Sequence, residues 1–139
     1  MKRILIVFTS LLMACEGQKQ VSGDWCSQEL RSGLSDYNEV KTSQPWFRVF
    51  AVGEGVYAIA EPYNYQEVIS YLIVGSKGAV LFDSGMGMGR ISDVVKELTS
   101  LPLTVLNSHS HYDHIGGNNE FNVVLAVDTP YTRHYAVHG

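Results

Sequence analysis

Cysteine is scarce in this chain, with two in 139 residues. That excludes a disulfide-dense scaffold and a multi-cysteine zinc ribbon. Long apolar runs are missing as well: none reaches the roughly 18 residues of a membrane-spanning helix. Positive charge is sparse. Ten Lys and Arg stand against fourteen Asp and Glu, a formal net charge of −4. No basic stretch follows the N-terminus, which argues against nucleic acid as a partner. What remains is ordinary for a globular chain. Apolar residues make up 45% and charged residues 17%, a balance that excludes a disordered or collagen-like protein, in a length that holds one domain at most.

The N-terminus stands apart. Lys2 and Arg3 precede an apolar stretch from Ile4 to Ala14, interrupted by Thr9 and Ser10. This reads as a secretory signal over residues 1–14. It ends in Leu12-Met13-Ala14-Cys15, which resembles the lipobox of bacterial lipoproteins, where the cut falls before a cysteine that is then lipidated. An ordinary signal cleaved after Ala14 is the alternative. If Cys15 carries lipid, Cys26 has no partner; otherwise the two can form a disulfide in the oxidising space outside the inner membrane. Removal of residues 1–14 takes two basic residues and no acidic ones, so the mature chain is more acidic. Residues 15–45 are polar and read as a lipid-anchored tether. Within them Leu30, Leu34 and Tyr37 have helical spacing, weakened by Gly33.

From Trp46 the texture is that of strands. The sequence predicts a hairpin from Phe47–Val52 and Val56–Ala60 around Gly53-Glu54-Gly55. A third strand over Val68–Val74 is nearly all apolar and is expected to be buried on both faces. A fourth, Ala79–Phe82, ends at Asp83. Ile91, Val94, Val95 and Leu98 then line one face of a helix. Short strands follow at Leu103–Asn107 and Asn122–Val127, and Thr129-Pro130 begins a last helix with Thr as N-cap. This order predicts an α/β fold, a mixed sheet with helices on one face. Gly85-Met86-Gly87-Met88-Gly89-Arg90 has Arg90 where a dinucleotide-binding turn needs glycine, so it reads as a tight turn. Tyr57, Tyr63, Tyr65, Tyr71 and Trp46 are assigned to sheet packing in preference to a substrate mouth.

The chemistry concentrates in Asn107-Ser108-His109-Ser110-His111-Tyr112-Asp113-His114-Ile115-Gly116-Gly117. With this chain's own residue frequencies, H-x-H-x-D-H arises by chance in about three such chains in ten thousand, so solvated loop histidines are a poor account of it. His109 and His111 are two apart, so an extended segment points both to one side, where two imidazoles can hold one zinc. Asp113 and His114 point elsewhere and can serve a second metal. Gly116-Gly117 lets backbone pack closely behind.

This string resembles the signature of the metallo-β-lactamase superfamily. Leu81-Phe82-Asp83-Ser84-Gly85 is similar to the superfamily's upstream strand-end aspartate motif. The resemblance covers residues 46 to about 127. It implies an αββα sandwich, of which residues 46–139 would be the N-terminal half, and two zinc ions per complete site, other divalent metals being alternatives. His109 and His111 match ligands of the first zinc, and Asp113 and His114 match ligands of the second. Asp113 would also orient the attacking hydroxide and accept its proton, and Asp83 would support the site from behind. The activity implied is hydrolysis of a small carbonyl substrate (β-lactam, lactone, ester or thioester), hydroxide being available because zinc lowers the pKa of water toward about 7.

Full members of the superfamily add a third histidine, a bridging aspartate and a final histidine from a C-terminal half. Asp128 comes too early to be the bridging aspartate. His134 and His138 read as surface residues of the last helix. The chain is therefore expected to be truncated, to give each zinc two protein ligands, and to hold metal weakly by itself. The alternative is a non-catalytic, lipid-anchored metal-binding remnant. The expected partners are a small-molecule substrate and, through the anchor, the membrane. By the lipoprotein resemblance, Glu16 after Cys15 fits outer-membrane sorting toward the periplasm. Cys15→Ala should leave the signal uncut or misprocessed and move the protein out of the membrane fraction, as read by immunoblot. Unchanged fractionation would remove the anchor.

Overall fold

The computed structural model describes residues 32–138, with the side chains of residue 32 and residues 135–138 outside the description. The signal over residues 1–14, Cys15, Cys26, Leu30 and the side chain of His138 therefore lie outside the described residues. Among the described residues no helix is long and apolar enough to cross a membrane.

A single helical turn, α1 (Ser32–Ser35), leads into β1 (Asn38–Val40). Tyr37 is 45% exposed, so the spacing of Leu34 and Tyr37 does not bury a helix face. The sheet takes in β1 ahead of Trp46, inside the stretch expected to be tether. β1 pairs antiparallel with β2 (Arg48–Gly53), and Arg48 clasps Glu39 through Nε and Nη2 at 3.0 and 2.9 Å. The charged pair locks a strand too short and polar to be evident from its own pattern.

β2, β3 (Val56–Ala60), β4 (Ile69–Val74) and β5 (Ala79–Phe82) form an antiparallel meander. Two crossovers then make the sheet parallel. α2 (Ile91–Leu98) carries the chain to β6 (Leu103–Asn107). α3 (Tyr112–Ile115) and a 3₁₀ turn (Asn118–Glu120) carry it to β7 (Val124–Ala126). α4 (Pro130–His138) closes the described chain, with the Thr132 amide donating to Thr129 Oγ1 at 3.0 Å as the N-cap. The seven strands lie in chain order in one mixed sheet.

Register sorts the side chains onto two faces. Tyr57, Leu72, Leu81, Val105 and Val124 form one cross-strand row. Ile91, Val94 and Val95 of α2 pack on that side and complete the core. Arg90 provides no side-chain cap for α2. Glu120 supplies one from a distant turn, its Oε2 accepting the Ser92 amide at 3.0 Å, where a carboxylate also meets the positive end of the helix. The segment before β2 straps the helix's outer side: the Ser43 amide and hydroxyl donate to Glu97, and Gln44 Nε2 donates to Asp93.

The other face carries the row Phe50, Ala58, Tyr71, Phe82, Leu106 and Leu125. The expectation that β4 is buried on both faces is corrected here. Leu72 is fully buried, whereas Tyr71 and Ile73 are 38% and 45% exposed. Among the described residues the helix packed against β4 lies on one side only, so apolar composition overstated burial. Leu72→Ala should cost about 3 kcal/mol of unfolding free energy, within the range for emptied core leucines. Ile73→Ala, at an exposed position of the other face, should cost under about 1 kcal/mol. Denaturant titration of the 139-residue chain measures both, and equal costs would contradict the one-sided burial of β4.

Candidate metal centre

β5 and β6 run parallel, so their carboxyl ends lie side by side and the loops that leave them face each other, the usual position for a site on an α/β sheet. Asp83 is the first residue beyond β5. Its φ of 62° is left-handed, a conformation costly for most side chains and tolerated by aspartate. The carboxylate is 4% exposed and accepts three hydrogen bonds. The Ser108 amide donates to Oδ1 at 2.8 Å, and the Ser108 hydroxyl and His114 Nδ1 donate to Oδ2, each at 2.8 Å.

The two loops are joined behind this carboxylate. The Ser84 amide donates to the His114 carbonyl at 2.9 Å and the Gly116 amide to the Gly85 carbonyl at 2.8 Å. Asn118 Nδ2 donates to Asn107 Oδ1 at 2.8 Å, and the Ser84 hydroxyl donates to Asn118 Oδ1 at 2.8 Å. Gly116 must be glycine here, because a Cβ would lie 2.2 Å from the Met86 carbonyl carbon. From the other side, the buried Glu61 accepts the Met86 amide at 2.9 Å and Trp46 Nε1 at 2.6 Å. Burial pushes the Glu61 carboxyl up, and these two donors oppose the rise.

The hydrogen bonds also dictate which histidine nitrogens are bare. A carboxylate only accepts, so His114 carries its proton on Nδ1 and offers the lone pair of Nε2. The Ser108 hydroxyl spends its one proton on Asp83. It therefore accepts from His109 Nδ1, 2.8 Å away, and His109 too is left with a bare Nε2. One carboxylate sets both tautomers, the arrangement by which a second partner orients metal-binding histidines.

The candidate metal-binding atoms stand in pairs. His111 Nδ1 donates to the bare His109 Nε2 at 3.1 Å, a proton that a metal ion would displace. His114 Nε2 is 3.4 Å from Asp113 Oδ2. Two donors on one tetrahedral ion at 2.0–2.1 Å are about 3.3 Å apart. Both separations match, and nitrogen with carboxylate oxygen is a donor set suited to zinc. The rings of His109 and His114 are 4.1 Å apart between centroids, so the pairs are adjacent. Among the described residues no three His, Cys, Asp or Glu converge on one point.

His109, His111, Asp113 and His114 thus come together, with Asp83 beneath them. His134 is exposed on α4. Asp128 is engaged by Arg133, which holds its carboxyl below the usual range. Several residues at the site were not evident from sequence. Gln66 Nε2 donates to Asp113 Oδ2 at 3.0 Å. Tyr65 belongs to the site and not to sheet packing, its hydroxyl 3.4 Å from that of Tyr112. Tyr63 packs on Trp46, ring centroids 5.8 Å apart. α4 reaches the loop through Tyr131, 6.0 Å from the His111 ring, and Thr132, bonded to Ser110. A recess of about 390 Å³ opens between Gln66, His111, Tyr112, Asp113 and Tyr131.

The tautomer argument predicts the effect of Asp83→Asn. Asparagine tolerates the left-handed backbone, and its Oδ1 stays on the Ser108 amide. Its Nδ2 then donates toward His114 Nδ1 and Ser108, which moves the ring protons of both His114 and His109 onto Nε2. Zinc affinity should fall by about a hundredfold, with thermal stability little changed. Zinc titration and ¹⁵N histidine spectra would measure this, and unaltered affinity would refute the assignment.

The comparisons bear on the fold and the family. The family model described as the Metallo-beta-lactamase superfamily matches residues 67–138. "Probable metallo-hydrolase YqgX" of Bacillus subtilis (strain 168) is 33% identical over 51 residues, covering 37% of this chain and 24% of that protein. The crystal structure of DIM-1 metallo-beta-lactamase exposed to ceftazidime superimposes with a TM-score of 0.52 at 17% identity, covering 70% of this chain and 49% of that one. A metallo beta lactamase from Erythrobacter litoralis, with beta mercaptoethanol in its active site, gives 0.53 at 16% identity, covering 73% and 48%. At such identities the likeness is one of fold. The chain spans about half the length of those structures and about a quarter of the Bacillus relative. With a family match over more than half of its residues, the chain belongs to the metallo-β-lactamase superfamily.

Proposed function

We propose that this protein is a zinc-dependent hydrolase of a small carbonyl substrate (a β-lactam, lactone, ester or thioester), acting outside the cytoplasm from a lipid anchor at Cys15. The observation that carries the reading is the spacing of the two pairs: His109 Nε2 with His111 Nδ1 at 3.1 Å, and His114 Nε2 with Asp113 Oδ2 at 3.4 Å. These pairs would hold the two metal ions. A bound ion would lower the pKa of water toward about 7 and polarise a carbonyl.

The chain's own residues supply the rest. Asp83 and Ser108 keep Nε2 of His109 and His114 unprotonated. Asp113 is 8% exposed, and its Oδ2 is engaged by Gln66 Nε2; the carboxylate would take a proton from water and return it to the leaving atom. The recess beside His111 and Asp113 receives the substrate, and Tyr112 and Tyr131 on its wall offer apolar surface with a polar tip.

In a chain that carries the complete site, Asp113→Ala should lower turnover by about a thousandfold, since it removes a metal donor and the proton acceptor together. His134→Ala should change it less than about twofold, the residue being exposed on α4. A chromogenic cephalosporin, an acyl-homoserine lactone and a glutathione thioester, offered to the same zinc-loaded complete chain, would identify the class. Turnover of none of them, with Asp113→Ala indistinguishable from the parent, favours the non-catalytic metal-binding reading.

A further inference from the structure

Asp113 is held by more than its neighbours in the metal loop. Gln66 Nε2 donates to its Oδ2 at 3.0 Å, and the Tyr112 hydroxyl donates to Gln66 Oε1 at 2.9 Å. The carboxylate fixes the polarity of this chain, since it can only accept. The amide of Gln66 must turn its NH₂ toward Asp113 and its oxygen toward Tyr112. Tyr112 must spend its proton on Gln66, so at 3.4 Å it can only accept from Tyr65. Every donor in the series Tyr65, Tyr112, Gln66 points at Asp113.

The support is built in advance. Gln66 sits on the loop joining β3 to β4. Asn64 Oδ1 accepts the Gln66 amide at 3.0 Å, and the Asn64 carbonyl accepts the Glu67 amide at 2.9 Å. Glu67 takes a left-handed φ of 46° to complete the turn. The loop is thereby shaped to present Gln66 across a separation of 47 residues. Tyr65 and Tyr112 are 54% and 60% exposed, so the outer end of the series forms the rim of the recess.

From this geometry we infer that Gln66 is a positioning residue of the metal centre. It holds Asp113 Oδ2 turned toward His114 Nε2, and it ties that orientation to the Tyr65–Tyr112 rim over which substrate enters. The inference rests on the metallo-hydrolase reading for its function and on the hydrogen-bond series for its geometry, and the two are tested separately.

In the 139-residue chain without metal, the side-chain amide protons of Gln66 should resonate away from the free-amide position, and Asp113→Ala should return them to it. Cobalt(II) titration, followed by visible absorption, tests the function. Gln66→Leu should weaken binding by about tenfold and alter the band intensities that report coordination geometry. Tyr112→Phe leaves Gln66 in place without its anchor and should weaken binding by about threefold in the same sense. A free-amide signal in the parent chain, or Gln66→Leu with unchanged affinity and spectrum while Asp113→Ala loses cobalt, overturns the role of Gln66 alone. Cobalt binding unaffected by Asp113→Ala overturns the metal reading and this role with it.

Discussion

The Asp83 carboxylate is the point on which the site turns. It sits in a left-handed backbone conformation at the end of β5 and is almost wholly buried. A buried carboxylate is costly unless its lone pairs are filled, and here a backbone amide, a hydroxyl and an imidazole fill them. The same three bonds position the start of the metal loop and decide which nitrogens of two histidines remain bare. One group thus meets a structural need and a chemical need through the same three bonds.

That arrangement depends on the parallel pairing of β5 with β6. Antiparallel strands would send their loops to opposite ends of the sheet. The α2 crossover instead brings both carboxyl ends to one edge, and the inner row from Tyr57 to Val124 anchors the crossover through the side chains of Ile91, Val94 and Val95. Glu120 extends the linkage, because a residue just beyond the metal loop caps the helix that precedes it. The core holds the strands, and the turns on either side hold the helix.

What is legible in the sequence is local. His109, His111, Asp113 and His114 fall within six positions, and the strand and helix periods that carry them are short-range patterns. Contacts that join distant segments leave no such trace. Gln66 meets Asp113 across 47 residues, and Glu61, Trp46 and Met86 meet only after the sheet forms. Neither a lone glutamine in a tyrosine-rich loop nor a glutamate at a strand end carries a periodic signal. β1 falls in the stretch expected to be tether because two polar residues and one valine make no strand pattern; Arg48 on the next strand supplies what its composition lacks. The burial of β4 was overestimated because apolar content counts residues, while burial depends on which face a helix covers.

The contact between Gly116 and Met86 has a bearing on motion. With no side chain between them, the backbones of the metal loop and the 84–87 turn touch directly and share hydrogen bonds on both sides of the contact. A hinge cannot lie between two segments so joined. If the metal loop is displaced, the turn is carried with it, and the end of β5 is pulled as well. The floor of the site therefore behaves as one stiff plate, and any breathing of the site is left to its rim, the loop between β3 and β4 on one side and the start of α4 on the other.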